Sequence, residues 1–273
     1  PDYWLRDWLA SSCEMNDKNK PWGIYFDCWI YQSEFKPYIR KFLDYYYNRC
    51  DEWGITPVVF YKNGCIMQGC AVYDVERGQI NGISREVWQC DTAIAKNSWG
   101  YTENNEFKSA YSCATNLIDV VSKNGCFMLN VGPKANGTVC DEEKAVLLKL
   151  GEWLKDCGEA IYGSEPFSVF GEGSKEDNKA FNDNLLYSRR DYRFTYKTGT
   201  VYVFPMSNES RKSFTVKSLG YRNDGIRYDI RAIELLGHGN VKVKWTHDAK
   251  SLKISLSKEV QSDMPLCFKI VID

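Results

Sequence analysis

Residues 22–61 decide the fold class of this chain. The run Trp22-Gly23-Ile24-Tyr25-Phe26 ends at Asp27, and a second run, Pro57-Val58-Val59-Phe60-Tyr61, follows after a longer segment. Apolar side chains recur at helical spacing between the two runs, namely Phe35, Ile39, Phe42 and Tyr46. The pattern predicts a buried strand, an amphipathic helix that ends at Gly54, and a second buried strand. Two strands joined through a helix pair in parallel.

The same alternation continues along the first part of the chain. Three more apolar runs predict strands, at residues 71–75, 87–90 and 125–131. Two more segments have helical periodicity, at residues 109–122 and 141–157. Strands that alternate with helices predict an α/β fold with a parallel sheet whose strands are buried on both faces.

The pattern changes near residue 165. Gly171, Gly173 and a polar run to Asn184 predict a linker. Short apolar runs without helical periodicity follow it, at residues 192–196, 200–204, 213–216, 231–236, 241–245, 252–256 and 267–272. Such runs predict a small antiparallel β-sandwich. We therefore expect one domain at residues 1–165 and a sandwich domain at residues 166–273.

Composition excludes several classes of protein. The 273 residues have a net charge of −1, which gives no electrostatic reason to expect a nucleic-acid partner, and no apolar run is long enough to span a membrane. The only two histidines, His238 and His247, lie late in the chain, so a His-based triad in the first 230 residues is excluded and a zinc site is not expected. The eleven cysteines favour reduced thiols, a composition that leans towards the cytoplasm, but the compartment stays open because we expect the N-terminus to be incomplete.

Carboxylates after predicted strands are the first candidates for chemistry. Asp27 and Glu76 each follow a strand, at the edge where α/β folds place their sites. Two such carboxylates about 5–5.5 Å apart would suit a retaining glycosidase. Glu86 competes with Glu76 for the second role. A helix-capping role for Asp27 and a solvated loop position for either glutamate are the alternatives.

Aromatic residues and one arginine lie close to these carboxylates in sequence. Trp29 could form an apolar wall beside Asp27, and Trp99 and Tyr101 flank a glycine turn where a sugar ring could stack. Burial of Trp99 under its loop is the alternative. For Arg77 two interpretations stay open, a substrate clamp or an ion-pair partner of a neighbouring carboxylate.

Five ordered motifs carry a resemblance to a known family. They are residues 22–27 (WGIYFD), 75–78 (VERG), 98–101 (SWGY), 121–134 (VSKNGCFMLNVGPK) and 158–163 (GEAIYG). In order and spacing the chain resembles the family 29 α-L-fucosidases along nearly its whole length. The resemblance implies the C-terminal portion of a TIM-like (β/α) barrel at residues 1–165, followed by the sandwich.

The resemblance also implies a function. The protein would be a retaining glycoside hydrolase that releases terminal α-linked L-fucose from oligosaccharides or glycoconjugates and uses no cofactor or metal. Asp27 would be the nucleophile, and Glu76, with Glu86 as the alternative, the acid/base. Gln89 stands where other members have a glutamate after a tryptophan, which favours Glu76. Trp29, Arg77, Trp99 and Tyr101 would contact the fucosylated glycan.

Departures from the family pattern suggest an alternative. The family's barrel begins well before its nucleophile strand, whereas only 26 residues precede Asp27 here. We expect an upstream segment or a second chain to complete the barrel, and we expect this chain alone not to be an autonomous fucosidase. A non-catalytic carbohydrate-binding protein, or an inactive fucosidase-like fragment, is the second hypothesis.

Overall fold

A computed structural model describes residues 2–27, 30–173, 183–221 and 229–273. The chain forms two compact units, Pro1–Val75 with Glu86–Gln89, and Glu76–Arg85 with Cys90–Asp273. One five-stranded sheet has the strand order β1-β2-β3-β4-β5. Its strands are β1 (Gly23–Phe26), β2 (Val58–Tyr61), β3 (Val72–Asp74), β4 (Trp88–Ala93) and β5 (Gly125–Asn130).

The first unit packs two helices and the start of this sheet around an aromatic core. Helices α1 (Asp2–Asn19) and α2 (Lys36–Trp53) pack against each other, and β1 to β4 pair in parallel. Phe42 and Tyr46 of α2 are buried, with Phe26 of β1 packed edge-on to Phe42. The helix ends at Gly54, whose φ of +68° is the left-handed conformation that glycine adopts without strain.

The second unit joins a helical layer to two antiparallel sheets. It contains α3 (Ala110–Ser122), α4 (Asp141–Cys157) and a short 3₁₀ turn at Gly158–Ala160. The strands of the two sheets are β6 (Glu165–Glu172), β7 (Tyr192–Lys197), β8 (Thr200–Pro205), β9 (Arg211–Val216), β10 (Ile230–Leu235), β11 (Val243–His247), β12 (Leu252–Val260) and β13 (Phe268–Ile272).

These eight strands form the sandwich. The larger sheet has the order β10-β13-β8-β7-β6, and the smaller one has the order β11-β12-β9. A core between them includes Phe194, Phe214 and Phe268, all almost fully buried. A second core packs α3 and α4 against the outer face of the larger sheet, where the Trp153 indole donates to the Pro265 carbonyl at 2.8 Å.

The α/β fold with a curled parallel half-barrel sheet and a sandwich is confirmed, and so are the helices at residues 36–53, 110–122 and 141–157. Two elements were not predicted from the sequence. Helix α1 was not expected, because only its Leu5 and Asn16 are buried and the helix lacks a clear apolar stripe. Strand β6 was not expected either, and Gly171, predicted to belong to a linker, lies in this strand and pairs with Arg193. The division at residue 165 stays a prediction.

No helix within the described ranges is both long and apolar enough to cross a bilayer.

Candidate functional site

Asp27 lies directly after β1, and its side chain is 62% exposed. Lys62 takes the matching position after the neighbouring strand, β2. The Lys62 Nζ atom lies 3.7 Å from Asp27 Oδ1, although the lysine side chain is only 7% exposed. The ring of Tyr25 lies 5.8 Å from the same ammonium. The parallel pairing of β1 and β2 therefore places a buried cation beside an accessible carboxylate.

A second, fully buried carboxylate lies behind this pair. Asp74, the last residue of β3, has its Oδ1 atom 3.8 Å from Lys62 Nζ. Gln89 of β4 donates from Nε2 to Asp74 Oδ2 at 2.6 Å. Lys62 is thus held between an exposed and a buried carboxylate, and the amide of Gln89 fixes the buried one.

Glu76 and Arg77 follow β3 and belong to the second unit. Glu76 is half-buried, whereas Arg77 is 6% exposed and has a φ of +44°. The Arg77 guanidinium donates to the carbonyls of Ala95 (3.1 Å), Lys96 (2.9 Å) and Ser98 (3.0 Å). Arg77 thereby anchors the loop after β4.

The same loop presents Trp99 and Tyr101, which are 38% and 39% exposed. The guanidinium carbon of Arg77 lies 4.5 Å from the centroid of the Trp99 ring. This cation–π contact covers one face of the indole. Lys134 Nζ lies 5.3 Å from the Tyr101 ring. Both aromatic rings are therefore backed by a cation and keep part of their surface accessible.

Two further contacts fix the backbone of this aromatic turn. The last residue of β5, Asn130, donates from Nδ2 to the Trp99 carbonyl at 2.7 Å. At Gly132 any Cβ atom would lie 2.7 Å from the backbone of Gly100 and of Tyr101, so only glycine fits. The Gly132 amide donates to the buried Glu143 carboxylate at 3.1 Å, which ties the turn to the first turn of α4.

The site residues predicted from the sequence therefore fall into separate groups. Arg77, Trp99 and Tyr101 lie together in the second unit, whereas Asp27 lies in the first. Glu86 is exposed, and Trp29 lies outside the described residues. The expected approach of the Asp27 and Glu76 carboxylates stays a prediction.

Sequence reasoning missed Lys62, Asp74 and Asn130 as parts of these groups. The signal that could have found them is position. Each is the last residue of a strand or directly follows one, as Asp27 does. Within the described part of the chain, no group of three or more His, Cys, Asp or Glu residues could hold a metal ion.

Comparison with known proteins shows that the sequence of this chain is similar to those of α-L-fucosidases. A family model described as alpha-L-fucosidase matches residues 1–159. Bovine tissue alpha-L-fucosidase is 38% identical over 88 residues, which are 31% of this chain and 19% of the bovine protein. An alpha-L-fucosidase of Dictyostelium discoideum is 37% identical over 75 residues, 26% of this chain and 16% of that protein.

Solved structures show the same fold over a longer stretch. A structure described as alpha-L-fucosidase superposes with a TM-score of 0.76 and 22% identity, covering 99% of this chain and 57% of the other. The Thermotoga maritima alpha-fucosidase in complex with fucose gives a TM-score of 0.73 at 23% identity, again covering 99% and 57%. This chain thus spans 57% of the length of each of these two solved proteins.

Proposed function

The chain belongs to the α-L-fucosidase family, and from this premise we propose that the protein containing it hydrolyses terminal α-linked L-fucose on oligosaccharides or glycoconjugates. The observation that supports this function most directly is the accessible carboxylate of Asp27, which lies at the end of a parallel strand with Lys62 Nζ 3.7 Å away. A glycosidase that forms a covalent intermediate needs an ionised, reachable carboxylate at such a position.

The proposed reaction has two steps with retention of configuration. Asp27 attacks the anomeric carbon while Glu76 protonates the departing glycosidic oxygen, which gives a fucosyl-enzyme ester. Glu76 then removes a proton from water as the water attacks the same carbon, and the Asp27 carboxylate is released. Neither step calls for a metal ion or an organic cofactor.

Glu76 is preferred over Glu86 as the acid/base for two reasons. Glu76 follows a strand of the sheet and is half-buried, whereas Glu86 is exposed. The amide of Gln89 cannot supply a proton in this way, and its Nε2 atom is bound to Asp74.

Substrate contacts are proposed for the aromatic turn. Trp99 and Tyr101 keep exposed surface on which the apolar face of a sugar can pack. Arg77 acts on the substrate through that turn, because its guanidinium binds three carbonyl groups and the Trp99 face. Trp29 is kept as a proposed contact from the sequence alone.

The rest of the barrel is proposed to come from an upstream segment or a second chain. Two observations support this proposal. The parallel sheet has β1 and β5 as its end strands, and the chain covers 57% of a matching solved fucosidase. Unpaired strand edges tend to acquire a partner.

Hydrolysis of an aryl α-L-fucoside tests the function. The chain is assayed alone and together with any upstream segment, and NMR of the first-formed sugar reports its anomeric configuration. Release of α-L-fucose, lost in Asp27→Ala, is the expected result. Binding of fucosylated glycan without hydrolysis in either form would instead support the non-catalytic alternative, and release of β-L-fucose would overturn retention.

A further inference from the structure

The sandwich has a polar cleft that the proposed reaction does not use. It has a volume of about 950 Å³ and lies between β6 and β9, with the residues before β7 at one end. Each of these two strands is an edge strand of its sheet. A volume of this size fits a ligand of several sugar rings rather than a single small ion.

Cations dominate the lining of this cleft. Arg189, Arg190, Arg211 and Lys217 all contribute to it, against one acidic residue among the described lining residues, Glu172. The Glu172 carboxylate accepts hydrogen bonds from the backbone amides of Lys217 (3.0 Å) and Ser218 (2.6 Å). Glu209 pairs with Arg189, whereas Arg190 forms no ion pair within the described ranges.

Arg211 is the most informative of these residues. Its guanidinium carbon lies 4.5 Å from the Phe214 ring and 5.5 Å from the Tyr192 ring, and Nη1 donates to the Arg189 carbonyl at 2.7 Å. Within the part of the chain that the structure describes, Nε and Nη2 are buried and make no hydrogen bond of normal geometry. Burial lowers the pKa of Arg211 more than the nearby Tyr192 hydroxyl raises it.

A partly buried guanidinium with two N–H groups that lack hydrogen-bond partners is costly, because its desolvation is not fully offset. An anion bound in the cleft would offset that cost. Ser168, Ser213 and Thr215 add hydroxyl groups to the lining, which can donate to and accept from a saccharide.

We propose that this cleft binds an oxyanion, a sulfate ester or a carboxylate, carried on a saccharide chain. Arg190 and Lys217 contact the anion, Arg211 contributes its charge from behind them, and the hydroxyls bind the sugar. The choice of a saccharide as the carrier rests on the proposed function, whereas the anion site rests on the cleft itself.

Equilibrium binding of the full chain tests the proposal. The probes are a sulfated oligosaccharide of defined length, its desulfated counterpart, inorganic sulfate and single-stranded DNA of equal charge. The sulfated oligosaccharide is expected to bind at least about tenfold more tightly than the other three, with affinity falling as salt increases.

Matched variants locate the binding. Arg190→Ala/Lys217→Ala should weaken binding at least about tenfold, because two charge-assisted contacts are lost. Arg190→Lys, which keeps the positive charge, should retain most of the binding affinity. Lys244→Ala/Lys258→Ala removes the same charge from exposed positions outside the cleft and should change affinity less than twofold.

Three results would overturn the proposal. The first is an equal loss of affinity for the sulfated oligosaccharide in both double variants. The others are an affinity for DNA, or for inorganic sulfate, that equals the affinity for the sulfated oligosaccharide. Asp27→Ala is expected to bind the sulfated probe like the wild type, so failure of the proposed hydrolysis would leave this result unchanged.

Discussion

Among single residues, Asp27 and Asp74 lie beside Lys62, which carries the opposite charge. Lys62 Nζ lies within 4 Å of both Asp27 and the buried Asp74, so one ammonium serves two carboxylates. Removing either partner of the buried Lys62–Asp74 pair would be costly, since an uncompensated buried charge would remain. The accessible carboxylate, that of Asp27, is the one proposed to act on the substrate.

In the complete enzyme, replacing Asp27 with Ala should lower kcat at least about a thousandfold, because the proposed covalent intermediate could not form. Azide should restore turnover and yield a fucosyl azide, since the space left by the carboxylate admits a small anion. Asp44→Ala, which removes an exposed carboxylate from α2, is the control. Near-normal activity of Asp27→Ala without any azide product would remove Asp27 from the role.

Replacing Glu76 with Ala should harm natural fucosides about a hundredfold more than aryl fucosides with good leaving groups. A general acid matters most when the leaving oxygen must be protonated. The ratio of kcat/KM for the two substrates measures the effect. Glu86→Ala is the matched variant, and the assignment moves to Glu86 if that variant alone shows this profile.

Replacing Lys62 with Met should lower kcat/KM of the complete enzyme at least about tenfold, because the positive charge beside the proposed nucleophile, Asp27, is lost. Lys62→Arg should retain more activity, since the charge remains although the geometry differs. The two variants are compared by steady-state kinetics, with thermal unfolding as the check on folding. Equal activity of the Met and Arg variants would show that the charge is not what matters.

At the scale of elements, loop anchoring explains the aromatic turn. The loop after β4 has its carbonyl groups bound by Arg77 and Asn130, and Gly132 allows the β5–α4 connection to approach it closely. Neither hydrophobic periodicity nor strand propensity encodes these contacts, because they join residues far apart in the sequence.

Replacing Arg77 with Ala should lower the free energy of unfolding by about 2–4 kcal/mol, since three charge-assisted hydrogen bonds from a buried guanidinium are lost. The Trp99 side chain should also become more accessible to acrylamide quenching. Denaturant unfolding measures the first effect, with Arg40→Ala on α2 as the exposed control. A change no larger than that control would contradict the anchoring role.

Elements with strong periodicity were predictable. The ends of α4 agree with the acidic first turn and the following Gly158, and α3 begins after Ser109, whose hydroxyl accepts from the Ser112 amide at 3.1 Å. Helix α1 and strand β6 were not predictable in this way. One has few buried residues, and the other contains glycines that favour a linker until a neighbouring strand pairs with them.

Across the whole molecule, the cysteines differ in how far they are buried, and burial controls their reactivity. Cys70 is exposed, whereas Cys113 of α3 is fully buried and burial raises its pKa to about 11. Because the thiolate is the reactive form, iodoacetamide should modify Cys70 in the folded chain and leave Cys113 unmodified. Mass spectrometry after timed labelling at pH 8 measures this.

The unfolded chain serves as the control for that labelling, since both cysteines should then react. In the folded chain Cys113 should stay unlabelled at pH 7 and at pH 9, because its thiol stays protonated below a pH of about 11. Labelling of both at equal rates in the folded chain would contradict the packing of α3.

The fold class and the family can be recognised from the order of the residues alone. Alternating strands and helices predict a parallel sheet, because a crossover helix forces its strands to be parallel, and the ordered motifs are local enough to be recognised in the chain. Asp27 and Glu76 were predicted from the same pattern, as carboxylates that follow buried runs, and their roles stay predictions.

Which side chains lie beside each other depends on how the strands pair and the loops pack. Lys62 becomes a partner of Asp27 because β1 and β2 pair in register, and Arg77 becomes an anchor of the Trp99 loop because its guanidinium is buried there. The cationic cleft combines residues of β6 and β9, which lie in different sheets. The Asp27–Lys62 pair, the Arg77 anchor and the cleft have the same physical origin. Charge and hydrogen-bond energies depend on distance and burial, and sequence separation fixes neither.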